Sequence, residues 1–168
     1  MSKPAVAAMT IQLKKGRDGP SSLACVRANG TRTWSRLHPF FPAHDLAHCA
    51  VESVLGFREA FFGLVASGWE IDDFAKREVR AGMPPEALWA ENAVGLFDLE
   101  RTQGRPFDAA GFNEALASSL QVQKVDPCRP IFDDELIRVR ALRDELVGRW
   151  WALAPGETLD VPFSAVTC

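Results

Sequence analysis

The hydrophobic spacing of the chain changes close to Pro39, and this change limits the folds that the chain can adopt. Before it, short segments of alternating apolar and polar residues are separated by turn residues, which is typical of β-strands. After it, apolar residues recur at intervals of three and four, which is typical of α-helices. Strands grouped at one end and followed by a run of helices predict an α+β fold.

The strand region covers residues 10–37, and its clearest signal is the pair Asn29-Gly30. Asn-Gly is a strong hairpin signal, because both central residues of a type I′ turn need positive φ. We expect an antiparallel three-stranded β-meander. A two-residue turn would pair Arg27 with Arg32, Cys25 with Trp34 and Leu23 with Arg36.

The helical region covers residues 42–154, where proline, glycine and acidic residues mark boundaries. We expect about five or six α-helices near 42–56, 58–67, 71–81, 85–103, 108–121 and 133–153. A short strand should return at 158–163, and its Pro162 favours an edge position in the sheet. We interpret residues 1–168 as a single domain, with 1–8 as a flexible tail.

The length of the apolar runs and the cysteine pattern favour a cytoplasmic protein. No apolar run reaches the roughly 18 residues needed to cross a bilayer, so we expect no membrane association. The four cysteines are scattered and form no Cys-x-x-Cys pair, which predicts free thiols. The formal net charge of −3 argues against a nucleic-acid partner.

All three histidines of the chain, His38, His44 and His48, fall within eleven residues. At about 100° per residue, His44, His48 and Glu52 lie on one polar edge of the predicted helix, with Asp45 beside them. Apolar residues fill the neighbouring arc, so the imidazoles lie where the apolar and polar faces meet. This half-buried placement suits a metal or catalytic site.

The segment His44-Asp-Leu-Ala-His48 resembles the zinc-binding His-Glu-x-x-His arrangement over these five positions. Two histidines four residues apart can direct their nitrogens at one divalent ion, with zinc as the first choice. Asp45 stands where that motif has a glutamate that acts as a general base on water bound to the metal. Aspartate is one methylene shorter, so this chain departs from the motif at its catalytic position.

The remaining ligands come from outside this motif. Glu52 lies two turns beyond His44, roughly 12 Å away along the helix, so it is expected to accept the free N–H of His48 or to bind an ion shifted toward His48. A third metal ligand would come from His38 or from a carboxylate on another helix. Glu91 and Asp98 are the candidates there, because they share one face of a helix whose other positions are nearly all apolar.

These features support two hypotheses of different classes. One is a small metal-binding protein with His44, His48, His38 and Glu91 as candidate ligands, and metal-assisted hydrolysis as its first enzymatic hypothesis, with Asp45 and Glu52 as catalytic carboxylates. The other is a non-enzymatic interaction or scaffold protein whose histidine segment is structural. The sequence is compatible with a small-molecule or peptide substrate and with a homo-oligomer, and decides neither.

Aromatic residues are dense around the histidine segment. We expect them to lie mainly in the core, with the wall of a pocket as the alternative. The series consists of Phe40, Phe41, Phe57, Phe61, Phe62 and Trp69.

Overall fold

The computed structural model describes residues 7–165 and has the predicted α+β fold. Its strands are β1 (Ala7–Lys14), β2 (Ser21–Arg27), β3 (Arg32–Leu37) and β4 (Thr158–Ala165). Its α-helices are α1 (Phe41–Leu55), α2 (Phe61–Ser67), α3 (Arg77–Ala81), α4 (Pro85–Gln103), α5 (Ala109–Val122) and α6 (Asp133–Ala152). A 3₁₀ helix, Ile71–Ala75, lies between α2 and α3.

The four strands form one antiparallel sheet in the order β3-β2-β1-β4. β4 pairs with β1 at one edge, with Pro162 opposite Thr10, so the predicted edge position of the last strand is confirmed. β1 begins at Ala7 and β4 extends to Ala165, so both strands are longer than predicted. The predicted tail was therefore wrong at residues 7 and 8, and residues 1–6 lie outside the described part of the chain.

The predicted two-residue turn between β2 and β3 is wrong. The amide of Arg27 donates to the carbonyl of Thr31 at 2.9 Å, which closes a three-residue loop in which Gly30 alone has positive φ, at 83°. Asn29 instead accepts the Thr31 amide on its side chain at 3.0 Å. The extra residue shifts the pairing by one position, to Ala24 with Trp34, Cys25 with Thr33 and Val26 with Arg32.

This shift separates Arg27 from Arg32. Arg27 is buried on the inner face of the sheet, where Nε donates to the carbonyl of Val65 at 2.7 Å and Nη2 to the carbonyl of Trp69 at 2.5 Å. The guanidinium therefore fastens the sheet to the end of α2. Trp34 lies on the outer face and is 53% exposed.

Two predicted helices are shorter or divided in the structure. α2 begins at Phe61 rather than at residue 58, because the amides of Arg58 and Glu59 donate to the carboxylate of Glu86 at 2.5 and 2.6 Å. The helix predicted at 71–81 divides at Lys76, whose backbone is extended. Asp73 accepts the amide of residue 70 and pairs with Lys76 at 2.6 Å, which stabilises the separate 3₁₀ turn.

The helix α1 lies at the centre of the molecule, and ten of its fifteen residues are buried. Leu46 and Cys49 pack with the inner face of the sheet and with α2 and α6. Ala47, Ala50 and Val51 pack into a second cluster with α4, α5 and α6. Side chains on α1 are consequently held from two sides, which gives any site built on this helix a rigid support.

The cysteines within the described residues are free thiols, as predicted. Cys25 and Cys49 are buried free thiols, Cys128 is an exposed one, and Cys168 lies outside the described residues. Within residues 7–165, every helix is too short or too polar to cross a membrane.

The close approach of α2 to the backbone of Arg58 predicts that a side chain at Gly63 destabilises the fold. Its amide donates to Oε2 of Glu52 at 3.0 Å, and a Cβ at this position would overlap the backbone of Arg58. We expect Gly63→Ala to lower the free energy of unfolding by about 1–3 kcal/mol or more, because backbone atoms must move. Urea unfolding measures this change.

Gly148 in α6 is the matched control, because a Cβ there meets no atom within 4 Å. Gly148→Ala should raise the free energy of unfolding by about 0.5–1 kcal/mol, since alanine favours helix interiors over glycine. Equal effects of the two substitutions would contradict the close approach of α2 to Arg58.

Candidate metal centre

Two histidines on successive turns of α1 lie side by side. His44 and His48 are four residues apart, which places them on one edge of the helix, and their ring centroids are 4.9 Å apart. Their side chains are 14% and 5% exposed. Pro42 in the first turn suits the helix start, because its missing N–H would have had no partner within the helix.

Glu91 of α4 joins the two histidines. Its Oε2 lies 2.8 Å from Nε2 of His48, and its Oε1 lies 3.5 Å from Nε2 of His44. One potential ligand atom from each of the three residues lies within 4.8 Å of the other two. The structure thus brings together three of the four metal ligands named from the sequence.

The second ring nitrogen of each histidine faces another carboxylate. Nδ1 of His44 lies 2.7 Å from Oδ2 of Asp98. Nδ1 of His48 lies 3.4 Å from Oε1 of Glu52, although the two groups are too poorly aligned for a hydrogen bond. A carboxylate that accepts the Nδ1 proton leaves the Nε2 lone pair of that ring available for a metal ion.

The two carboxylates of α4 differ in burial. Glu91 and Asp98 are seven residues apart and both reach His44, as expected for residues on one helix face. The side chain of Asp98 is 12% exposed, whereas that of Glu91 is 61% exposed. An apolar pattern that covers most of a helix does not reveal which side of it faces an opening.

The carboxylates determine the charge of the histidines in the metal-free protein. Burial alone would lower the pKa of His44, but hydrogen bonds to Asp98 and Glu91 raise it to about 9. Burial acts in the same way on His48, and Glu52 and Glu91 raise its pKa to about 10. The two imidazoles in turn hold the pKa of Glu91 far below its usual range.

Asp45 lies between the two histidines in sequence and lines the same cavity. It is buried, and its Oδ2 has no hydrogen-bond partner among the described residues. Burial raises its pKa to about 7, although His48 and His44 act in the opposite direction. This residue therefore presents a free acceptor atom beside the histidines.

Glu52 lies behind His48 and does not line the cavity. Its carboxylate is 1% exposed and accepts the amides of Phe62 and Gly63 at 3.2 and 3.0 Å. Each carboxylate oxygen of Glu52 therefore accepts a backbone amide at the start of α2. Glu52 therefore lies on the Nδ1 side of His48 and away from the cavity, and the predicted hydrogen bond from His48 is not formed.

The third histidine stays apart from this group. His38 is exposed in the loop before α1, and its Nδ1 lies 3.4 Å from the amide of Phe40. It is not part of the three-residue cluster of potential ligands. His38 is therefore a natural internal control for the two histidines of α1.

A cavity of about 530 Å³ opens beside the histidines. Its wall contains two of the aromatic residues of the sequence series, Phe41 and Phe61, whereas Phe57 and Phe62 lie in the core. Arg80 carries no sequence signal of its own, because only the packing of α3 brings it to this wall. The complete lining consists of Phe41, His44, Asp45, His48, Phe61, Phe74, Arg80, Met83, Ala87, Leu88 and Glu91.

The donor set has clear chemical preferences. Two imidazole nitrogens and one carboxylate oxygen suit zinc or another divalent transition metal, and three protein ligands leave a coordination position open. Comparison of the chain with protein-family models, with curated proteins and with solved structures found no match. The function is therefore inferred from the residues of this site.

The raised histidine pKa values predict how stability depends on pH in the metal-free protein. Histidine protonation stabilises the fold fully below the ordinary pKa of 6.5, and this contribution is lost as pH rises toward the folded values of about 9 and 10. We expect the free energy of unfolding, measured with urea and a chelator, to fall between about pH 7 and 8.5.

Asp98→Asn should make this fall smaller, because it removes the main group that raises the pKa of His44. His38→Gln should leave the fall unchanged, since His38 lies outside the cluster. The measured pH range stops below pH 9, which is the ordinary pKa of the thiols of Cys25 and Cys49. Above that pH these buried thiols would ionise once the chain unfolds and would add a second pH dependence. A flat profile, or one that is the same in Asp98→Asn, would contradict this electrostatic description.

Proposed function

We propose that the protein binds one divalent transition metal ion, zinc in the first instance, through His44, His48 and Glu91. One observation carries this proposal: the Nε2 atoms of both histidines face the carboxylate of Glu91 at the edge of a cavity. Zinc is bound by imidazole nitrogen and carboxylate oxygen at about 2.0–2.2 Å. One ligand atom from each of the three residues already lies within 4.8 Å of the other two, so all three can contact a single ion placed among them.

The surroundings of the three ligands also support metal binding. Asp98 and Glu52 lie on the Nδ1 side of the two rings, where a carboxylate holds a metal-binding histidine in the correct orientation and tautomer. Glu52 is itself held by two backbone amides of α2. Metal sites regularly contain such outer carboxylates, whereas a simple surface ion pair has no need of them.

A structural role for the same residues is the competing explanation. Two protonated histidines among three carboxylates also form a network of ion pairs within the protein. A buried ion-pair network is weak evidence of stabilisation, because desolvation of the charges offsets their attraction. The two explanations differ in whether zinc binds stoichiometrically.

Zinc titration tests the proposal directly. We expect the protein to bind one zinc ion, measured by competition with a chromophoric chelator. His44→Gln and His48→Gln should each weaken binding by more than about 100-fold, because loss of a ligand costs more than loss of an outer contact, which costs about 10–100-fold. His38→Gln should retain the affinity of the unmodified protein.

Circular dichroism and urea unfolding of each variant show whether the fold is intact. Absence of stoichiometric zinc, or equal losses of affinity in His38→Gln and His48→Gln, would contradict the proposed ligand set. Parallel titrations with Fe²⁺ and Mn²⁺ test the choice of metal, since two histidines and one carboxylate also suit non-haem iron.

We further propose that the metal assists hydrolysis in the adjoining cavity. The ion would supply Lewis-acid activation of water or of a carbonyl group. Asp45 would accept a proton there, because this residue lines the cavity and its buried Oδ2 has no hydrogen-bond partner among the described residues. A small-molecule substrate fits the size of the cavity, which lies within the usual range of about 300–1,000 Å³.

Asp45→Asn tests this step. Release of nitrophenolate from 4-nitrophenyl esters should depend on zinc, and the substitution should lower kcat/KM by about 10²–10⁴-fold, the usual contribution of a general base. Zinc affinity should remain close to that of the unmodified protein, because Asp45 is not one of the three ligands.

Asp72→Asn is the matched control, since Asp72 is an exposed carboxylate that does not line the cavity. It should leave both zinc affinity and ester hydrolysis unchanged. Zinc-dependent hydrolysis that Asp45→Asn retains would rule out the assigned role of Asp45. Absence of zinc-dependent turnover with ester, amide and phosphate probes would contradict the hydrolase proposal while leaving the metal proposal standing.

A further inference from the structure

The cavity beside the candidate metal centre has a predominantly apolar wall. Away from the histidines and their carboxylates, six of its lining residues are apolar and come from α1, α2, the 3₁₀ helix, α4 and the loop before α4. They are Phe41, Phe61, Phe74, Met83, Ala87 and Leu88. Such a wall favours a ligand with an apolar body, since burial of apolar surface contributes roughly 25 cal/mol per Å².

Arg80 on α3 is the one permanent cation of this lining. Its Nη2 donates to the carbonyl of Ala75 at 3.2 Å, and it forms no ion pair with any of residues 7–165. The neighbouring Lys76, by contrast, is paired with Asp73 at 2.6 Å. A guanidinium with unused donors beside an apolar cavity is suited to a carboxylate, which it can bind through two parallel hydrogen bonds.

The other charged groups of the cavity determine where an anion can bind. Asp45 and Glu91 are contributed by α1 and α4, on the side of the histidines. In the metal-free protein the protonated His44 and His48 are already paired with Glu91 and Asp98. Arg80 is then the cation of the lining that has no ion pair with any of residues 7–165. The charges therefore favour α3, through Arg80, as the position of a ligand carboxylate.

We infer that the cavity binds a small amphipathic carboxylic acid, with its apolar body against the aromatic wall and its carboxylate paired with Arg80. The assignment of such a molecule as substrate rests on the proposed hydrolase function, whereas its binding does not. Hydrolysis would then act on an ester or amide of the same amphipathic class, held with its carboxylate away from the metal ligands.

Octanoate and octan-1-ol are matched probes, because they share one chain and differ in charge. Isothermal titration calorimetry of the metal-free protein should show octanoate binding about 10–100-fold more tightly than octan-1-ol, as expected for a hydrogen-bonded ion pair. Arg80→Met should abolish this preference, because methionine keeps an apolar stem and removes the charge. Retained octan-1-ol binding in the variant would show that the cavity is still formed.

Arg77→Met is the matched control, because Arg77 lies on the same short helix and does not line the cavity. It should keep the preference for octanoate. Equal binding of the two probes to the unmodified protein, or a preference that survives Arg80→Met, would overturn the inference.

The zinc titration separates this inference from the proposed function. Stoichiometric zinc with no preference for octanoate refutes the inference alone. An Arg80-dependent preference without zinc binding refutes the proposed metal centre alone. If octanoate binds only to the zinc-loaded protein and is lost with His48→Gln, the carboxylate binds the metal and the assigned role of Arg80 is wrong.

Discussion

The carboxylate of Glu52 connects the fold of this protein to its candidate site. It is almost fully buried, accepts two backbone amides at the start of α2, and lies against the far nitrogen of His48. A buried carboxylate needs such partners, because its desolvation is costly without them. The same group therefore joins α1 to the start of α2 and raises the pKa of His48, so the packing of α2 and the charge of His48 depend on one carboxylate.

Stability gives only a weak reason for the cluster around the histidines. His44, His48, Glu91, Asp98 and Glu52 place five titratable groups at one point of a molecule whose neighbouring helix faces are apolar. Well-packed apolar residues of similar volume are often as stabilising as a buried ionic network. Their arrangement, with two carboxylates behind the imidazoles and one in front, has a direct use when a cation lies between the rings and the front carboxylate.

Periodicity predicted the features of the chain that depend on local spacing. The α+β class and the common helix face of Glu91 and Asp98 follow from intervals of two, three and four residues. The edge position of the last strand follows instead from the missing N–H of Pro162. The predicted strand register was wrong because the side chain of Asn29 accepts the amide and the hydroxyl of Thr31, which stabilises a loop that is longer by one residue. The position of the cavity could not be predicted, because it depends on how several helices pack against one another. Local spacing in the sequence carries no information about that packing.

The two outer strands of the sheet also bear on how the molecule can assemble. Pro162 has no N–H to offer an incoming strand at the β4 edge, and the β3 edge carries the exposed arginines Arg32 and Arg36. Both margins thus disfavour pairing with the backbone of a neighbouring chain. Self-association by continuation of the sheet is discouraged, and any assembly of this protein is directed to side-chain contacts on its helices and on the outer sheet face.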